Sequence, residues 1–178
     1  MGKPILFRQE RPGLNGRLFT CLKFRTMTDK RDENNELLSD RERIVHLGRF
    51  LRRTSLDELP QFWNIVRGDL SFIGPRPLLK EYVPYYTPQE QRRHSVRPGL
   101  TGWAQIHGRN DQGFDERLKL DVWYVDHLSW RLDLSILLAT IRLVFSAKGT
   151  ELVAYPPLHE QRRLKVQFQS LETEQEHK

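Results

Sequence analysis

Asp57 and Glu58 are neighbouring carboxylates in Ser55-Leu56-Asp57-Glu58-Leu59-Pro60, where a helix start is expected with the first turn around residues 56–60. Two readings fit them. As plain structure, acids in a first turn stabilise a helix by about 0.3–1 kcal/mol, and Glu58 has the spacing of a capping box with Ser55. As chemistry, one ionised carboxylate serves as a nucleophile and the other holds a divalent cation, with arginines close by for a phosphorylated substrate. Arg53, Arg76 and Arg97 stand at rigid places, Arg76 between Pro75 and Pro77 and Arg97 just before Pro98-Gly99. A guanidinium grips phosphate through two parallel hydrogen bonds. Competing designs fare worse: Cys21 falls in an expected strand with no helix end to activate it, and the histidines at 46, 94, 107, 127, 159 and 177 show no i, i+4 metal spacing. There is no nucleophile elbow, Walker loop or dinucleotide fingerprint.

These side chains need elements to carry them. Residues 4–9 and 17–27 are apolar-rich runs separated by Pro12, Gly13 and Asn15-Gly16, the pattern of a β-hairpin, with Lys23 and Arg25 on one face of the second strand. Residues 28–38 read as a mobile loop. Ser39 and Glu42 form a capping box, followed by a basic amphipathic helix over 40–53 that either packs by its apolar face or lies in a membrane interface. A short helix then runs from about Leu56 to a glycine stop at Gly68, residues 70–73 are strand-like, and residues 96–103 form a rigid turn. A polar helix is expected at 88–95 and another, capped by Asp115, to about His127; Leu134, Leu137, Leu138, Ile141 and Phe145 stripe a final helix, and the end of the chain is tail-like.

The chain has 178 residues, 38% hydrophobic and 29% charged, which suits one compact domain and excludes fibrous and disordered classes. A lone cysteine excludes internal disulfides and points to a reducing compartment. The net charge of +6 resides in residues 1–31, a field that attracts phosphates of any kind, including the anionic cytoplasmic leaflet. No apolar run approaches the roughly 20 residues of a membrane span, and the N-terminus lacks a signal-peptide core. A nucleic-acid binder is disfavoured, because aromatic and basic residues do not interleave on one strand face.

Four segments together resemble the bacterial sugar transferases, the monotopic phosphoglycosyl transferases: KFRTM at 23–27, SLDELPQFWNIVRGDLSFIGPRPL at 55–78, VRPGLTGWAQIHGRN at 96–110 and KLDVWYVDHLSWRLDL at 119–134. The resemblance runs from Pro4 to about Lys148. It implies an α+β fold with its cleft at the membrane surface: a catalytic domain over 1–150, with the amphipathic helices and a helix-borne Asp-Glu dyad, and a tail over 151–178. It implies transfer of a phosphosugar from a UDP-sugar to polyprenol (undecaprenyl) phosphate, releasing UMP and starting a lipid-linked glycan such as an exopolysaccharide or lipopolysaccharide. On that pattern Asp57 attacks the β-phosphate to form a covalent intermediate and Glu58 coordinates Mg²⁺. Lys23, Arg25, Arg53, Arg76, Arg97 and Arg109 are then candidates for diphosphate and uridine contacts, and Asp121 for a polar role in the site. The family's re-entrant N-terminal helix has no counterpart before Pro4: either the sequence is a truncated or mis-started version of a longer protein, or this form attaches peripherally to the cytoplasmic face of the inner membrane through its amphipathic helices and N-terminal charge. Downstream glycosyltransferases are expected as further partners. The alternative is a catalytically silent remnant that binds nucleotide-sugar or a partner.

Overall fold

In the computed structural model, residues 3–107 and 113–145 are described, together with Leu158, Glu160 and Arg162. Strand β1 (Leu6–Pro12) pairs antiparallel with β2 (Leu18–Phe24), Phe7 opposite Lys23 and Gln9 opposite Cys21. The connection turns through Asn15 and Gly16 at φ 54° and 75°, a left-handed region that asparagine and glycine tolerate best. The expected hairpin is therefore present, with Cys21 buried within it. Residues 28–38 contain no helix. Asp32 folds this loop on itself, its Oδ1 accepting from the backbone N–H groups of Asn34 (2.9 Å) and Glu36 (2.8 Å).

The helix expected over 40–53 is two helices, α1 (Asp40–Arg43) and α2 (His46–Arg53). The Ser39–Glu42 capping box opens the first as expected. The break has a clear cause: Ile44 and Val45 are extended, Val45 N–H donates to Thr26 O, and Thr28 N–H donates to Arg43 O, so a bridge to the 26–28 segment replaces a helical turn. Gly48 seats α2 on that segment, since a Cβ there would lie 2.0 Å from Thr26 O.

A second correction concerns the dyad. Leu56–Glu58 form a single 3₁₀ turn, and the α-helix that follows, α3 (Gln61–Val66), starts after both acids. Ser55 is left-handed (φ 57°) and makes no side-chain cap, so there is no capping box with Glu58. The acids consequently do not occupy the positive end of an α-helix. Helix α3 is also turned inside out: Gln61 and Asn64 are buried, while Phe62, Trp63 and Val66 are exposed, Val66 to 76%. Asn64 explains the inversion. Its side chain accepts from Leu22 N–H (3.1 Å) and donates to Thr20 O (2.8 Å), tying the helix to β2 through polar contacts.

Strand β3 (Ser71–Ile73) pairs in parallel with β4 (Gly99–Thr101), within the segment expected to be only a rigid turn. Parallel pairing requires a crossover. It is supplied by a 3₁₀ stretch (Lys80–Tyr85), α4 (Pro88–Gln91) and a second 3₁₀ turn (Arg92–Ser95), the last two replacing the single helix expected at 88–95. Gly74, Gly99 and Gly102 meet backbone to backbone: a Cβ on Gly99 would lie 2.2 Å from Gly74 N, and one on Gly102 2.1 Å from Gly74 O.

Helices α5 (Trp103–His107), α6 (Phe114–Asp126) and α7 (Trp130–Phe145) complete the mixed α+β fold. Gly113 caps α6, and Asp115 lies inside its first turn rather than at the cap. The stripe on α7 is exposed at Leu134, Leu137, Leu138 and Ile141, whereas Ile136 is buried and Thr140 meets Thr101, Oγ1 to Oγ1 at 2.8 Å. The main core cluster joins Tyr82, Tyr86, Leu118 and Leu158. Within the expected tail, Leu158 is thus buried and Arg162 pairs with Glu90 and Asp115. Among the described residues no helix is long and apolar enough to cross a membrane.

Candidate active site

The 3₁₀ turn, the end of β2 and the Gly-Pro-Arg-Pro loop converge on Glu58. Lys23 Nζ donates to Glu58 Oε1 at 2.7 Å, and Arg76 donates to Oε1 from Nη2 at 2.5 Å and to Oε2 from Nη1 at 3.4 Å. Burial by itself would raise the Glu58 pKa. The charges and hydrogen bonds of Arg76 and Lys23 outweigh it and hold the carboxyl down to about 2.

Asp57, one residue earlier, is in the opposite situation. It is 8% exposed, and among the described residues its carboxylate receives no hydrogen bond. Burial pushes its pKa up, and the Glu58 charge pushes the same way, against Lys23, Arg52 and Arg76. No α-helix begins at the acids, so no helix end offsets this rise. A desolvated carboxylate without donors is a better nucleophile than a solvated one.

Arg76 is held by its backbone on every side. Gly74 N–H donates to Thr101 O (2.9 Å), Pro75 O accepts from Gly99 N–H (3.0 Å), Arg76 O accepts from Arg93 Nη2 (2.6 Å), and Pro77 O accepts from Arg11 Nη1 (3.4 Å). Arg76 keeps 41% of its side chain accessible while its guanidinium grips Glu58.

The other described sequence candidates make no hydrogen bond with either acid. Arg25 donates to Pro4 O (3.1 Å) and pairs with exposed Asp29 (2.7 Å). Arg53 and Arg97 are exposed and make no hydrogen bond or ion pair with Glu58. Asp121 is buried against Arg93, its Oδ2 accepting from Nη2 at 2.7 Å. Arg109 lies outside the described residues. Sequence reading passed over Arg52, whose charge reaches Asp57, and Arg93. Gly48 was a usable sign for the first: a small residue marks the packed side of α2, and Arg52 follows one turn later on that side, its Nε donating to Thr26 Oγ1 at 2.9 Å. Arg93 sits in the polar run Gln91-Arg92-Arg93-His94, which carries no such sign.

Among the described residues no three His, Cys, Asp or Glu side chains cluster as a metal cage. The neighbouring carboxylates do suit Mg²⁺, which takes one or two protein carboxylates and fills its shell with water and substrate phosphate oxygens. Glu58 Oε2, with only one long hydrogen bond, has capacity for it.

A family model described as Bacterial sugar transferase matches residues 1–147. The chain belongs to this family. It is 53% identical over 151 residues to the uncharacterized sugar transferase EpsL of Bacillus subtilis, covering 85% of this chain and 75% of that protein. It is 40% identical to the UDP-galactose-lipid carrier transferase of Erwinia amylovora, over 83% of this chain and 34% of the relative. It is 36% identical to the undecaprenyl-phosphate galactose phosphotransferase of Salmonella typhimurium, over 83% of this chain and 35% of the relative. The chain thus spans about a third of the length of these last two proteins.

Proposed function

We propose that this sugar transferase moves a phosphosugar from a UDP-sugar to polyprenol phosphate, through a covalent intermediate on Asp57. The observation that carries the reading is the contrast in the dyad, with a bare, buried Asp57 beside a Glu58 clamped by Lys23 and Arg76. In the first step an Asp57 carboxylate oxygen forms a bond to the β-phosphorus, and the bond from that phosphorus to the bridging oxygen breaks. UMP leaves with the electron pair. In the second step a phosphate oxygen of the polyprenol displaces the Asp57 carboxylate, giving polyprenyl-diphosphate-sugar and restoring the enzyme. No net proton transfer is needed. Arg76 and Lys23 stabilise charge on the transferring group, and the rigid loop spares Arg76 reorganisation during reaction. Glu58 would hold Mg²⁺, which would supply positive charge against the charge that develops on the transferring group.

The acceptor's chemistry calls for a lipid surface. Exposed Leu59, Phe62, Trp63 and Val66 follow helical i, i+3, i+4, i+7 spacing, and Phe72 packs edge-on against Phe62 at 5.8 Å, extending the apolar face. Leu47 and Phe50 on α2 are also exposed. These groups, with the basic N-terminal segment, support peripheral attachment to an anionic cytoplasmic leaflet.

The mechanism is tested with UDP-sugar labelled on the β-phosphate and no acceptor. The wild type is expected to retain label covalently and release one UMP per chain. Asp57→Asn, nearly isosteric, is expected to retain none and to lose turnover by about 10⁴-fold or more. Product formation with acceptor, but with no label ever attached, would establish direct attack by polyprenol phosphate instead.

A further inference from the structure

Arg93 is the most enclosed arginine described, at 1% exposure, and it lies outside the acid pair and its cations. A buried guanidinium is costly unless its donors are used. Here they are used asymmetrically. Nε and Nη2 donate to Asp121 Oδ2 at 3.1 and 2.7 Å, and Nη1 donates to Tyr86 Oη at 3.2 Å. The remaining short bond, Nη2 to Arg76 O at 2.6 Å, leaves this sealed cluster and ends on the residue that grips Glu58. Pro75 and Pro77 leave Arg76 flanked by residues without N–H donors, so its carbonyl bond is one of the few ways to fix the peptide plane there.

We propose that Arg93, oriented by Asp121 and Tyr86, is a positioning residue that fixes the Arg76 peptide and thereby aims the Arg76 guanidinium at Glu58 and the transferring phosphate. It touches neither substrate nor reacting atoms. Asp121 accordingly acts by orienting Arg93. The inference rests on the transfer reaction above for its kinetic readout alone.

The test is a double-mutant cycle in the full chain. Arg93→Met with Asp121→Leu removes both buried charges together, which cores tolerate far better than loss of one partner. With the wild-type support, Arg76→Ala is expected to lower kcat/KM for UDP-sugar by about 100-fold, the scale of losing one preorganised charge stabiliser. In the Met/Leu background the same Arg76→Ala change is expected to cost less than about 3-fold, because the guanidinium is already misaimed. Equal fold-losses in both backgrounds would overturn the proposal and leave Arg93 a packing residue. Should the Met/Leu variant not fold, Arg93→Lys decides. It keeps a charge for Asp121 but lacks the planar fork that reaches Tyr86 and Arg76 O together. A fall in kcat of about 10-fold with unchanged far-UV spectrum and KM supports positioning, and unchanged kcat overturns it. If every form proves inactive, the reaction reading has failed, and the cycle is read in denaturant midpoints. Glu58→Gln is then expected to shift the midpoint less in the Met/Leu background than in wild type, and equal shifts would overturn the positioning role.

Discussion

The Gly74–Pro77 loop and helix α3 follow one another closely in the chain and are stabilised in opposite ways. Around the loop, three glycines admit no Cβ, and the carbonyls of Pro75, Arg76 and Pro77 all have donors. Around α3 the polar residues face inward, and Trp63 stands 58% exposed beside Val66. The loop is determined by contacts within the chain, whereas α3 presents a surface complementary to something outside it. The comparison separates two kinds of surface: the part that holds Arg76 is saturated internally, and the part that carries exposed Phe62, Trp63 and Val66 is left unsaturated.

The strongest way to break the saturated half is Gly102→Ala. Its new Cβ would meet Gly74 O at 2.1 Å, a backbone atom that cannot swing aside. Destabilisation of about 3 kcal/mol is expected, measured by chemical denaturation.

The acid pair sharpens the same half through pH. Glu58 has its pKa lowered from 4.5 to about 2, so its contribution to stability is complete above about pH 5 and is lost as pH falls towards 2. That contribution is on the order of 3 kcal/mol, and Glu58→Gln is expected to flatten the stability curve over this window. Asp57 has the opposite sign. Burial and then Glu58 raise its pKa, so ionised Asp57 costs stability as pH rises through that value. Asp57→Asn is therefore expected to be more stable than wild type at neutral pH, measured by chemical denaturation.

Breaking the unsaturated half should leave the fold almost untouched. Trp63→Ser with Val66→Ser is expected to change unfolding free energy by less than about 0.5 kcal/mol. Sedimentation with vesicles containing phosphatidylglycerol should nevertheless show binding reduced by about 10-fold or more, since each side chain would otherwise bury its apolar area in lipid. Unreduced binding would place the lipid contact on another face.

Legibility in the sequence divides along the same line. The hairpin, the Ser39 capping box, the acids and Arg76 between its prolines were readable, because each depends on neighbours a few residues away. The split at Ile44–Val45 depends on Thr26 and Thr28, and the inversion of α3 depends on Asn64 reaching Thr20 and Leu22, partners that local periodicity does not reveal. Apolar spacing on α7 correctly reported a stripe, but a stripe looks the same whether it meets a core or a bilayer. Arg93 was hardest, since its importance lies in a carbonyl of Arg76 that no side-chain pattern announces.

The parallel pairing of β3 with β4 also sets a clock for the protein's synthesis. Arg76 leaves the ribosome before Arg93, Thr101 and Asp121, the residues that fix its loop directly or through Arg93. At about 5–20 residues per second, the nascent chain spends roughly several seconds with both acids made and their arginine unaimed. Only when α6 has been made are all of the loop's supports present, so the growing chain completes α3 early and the setting of Arg76 late.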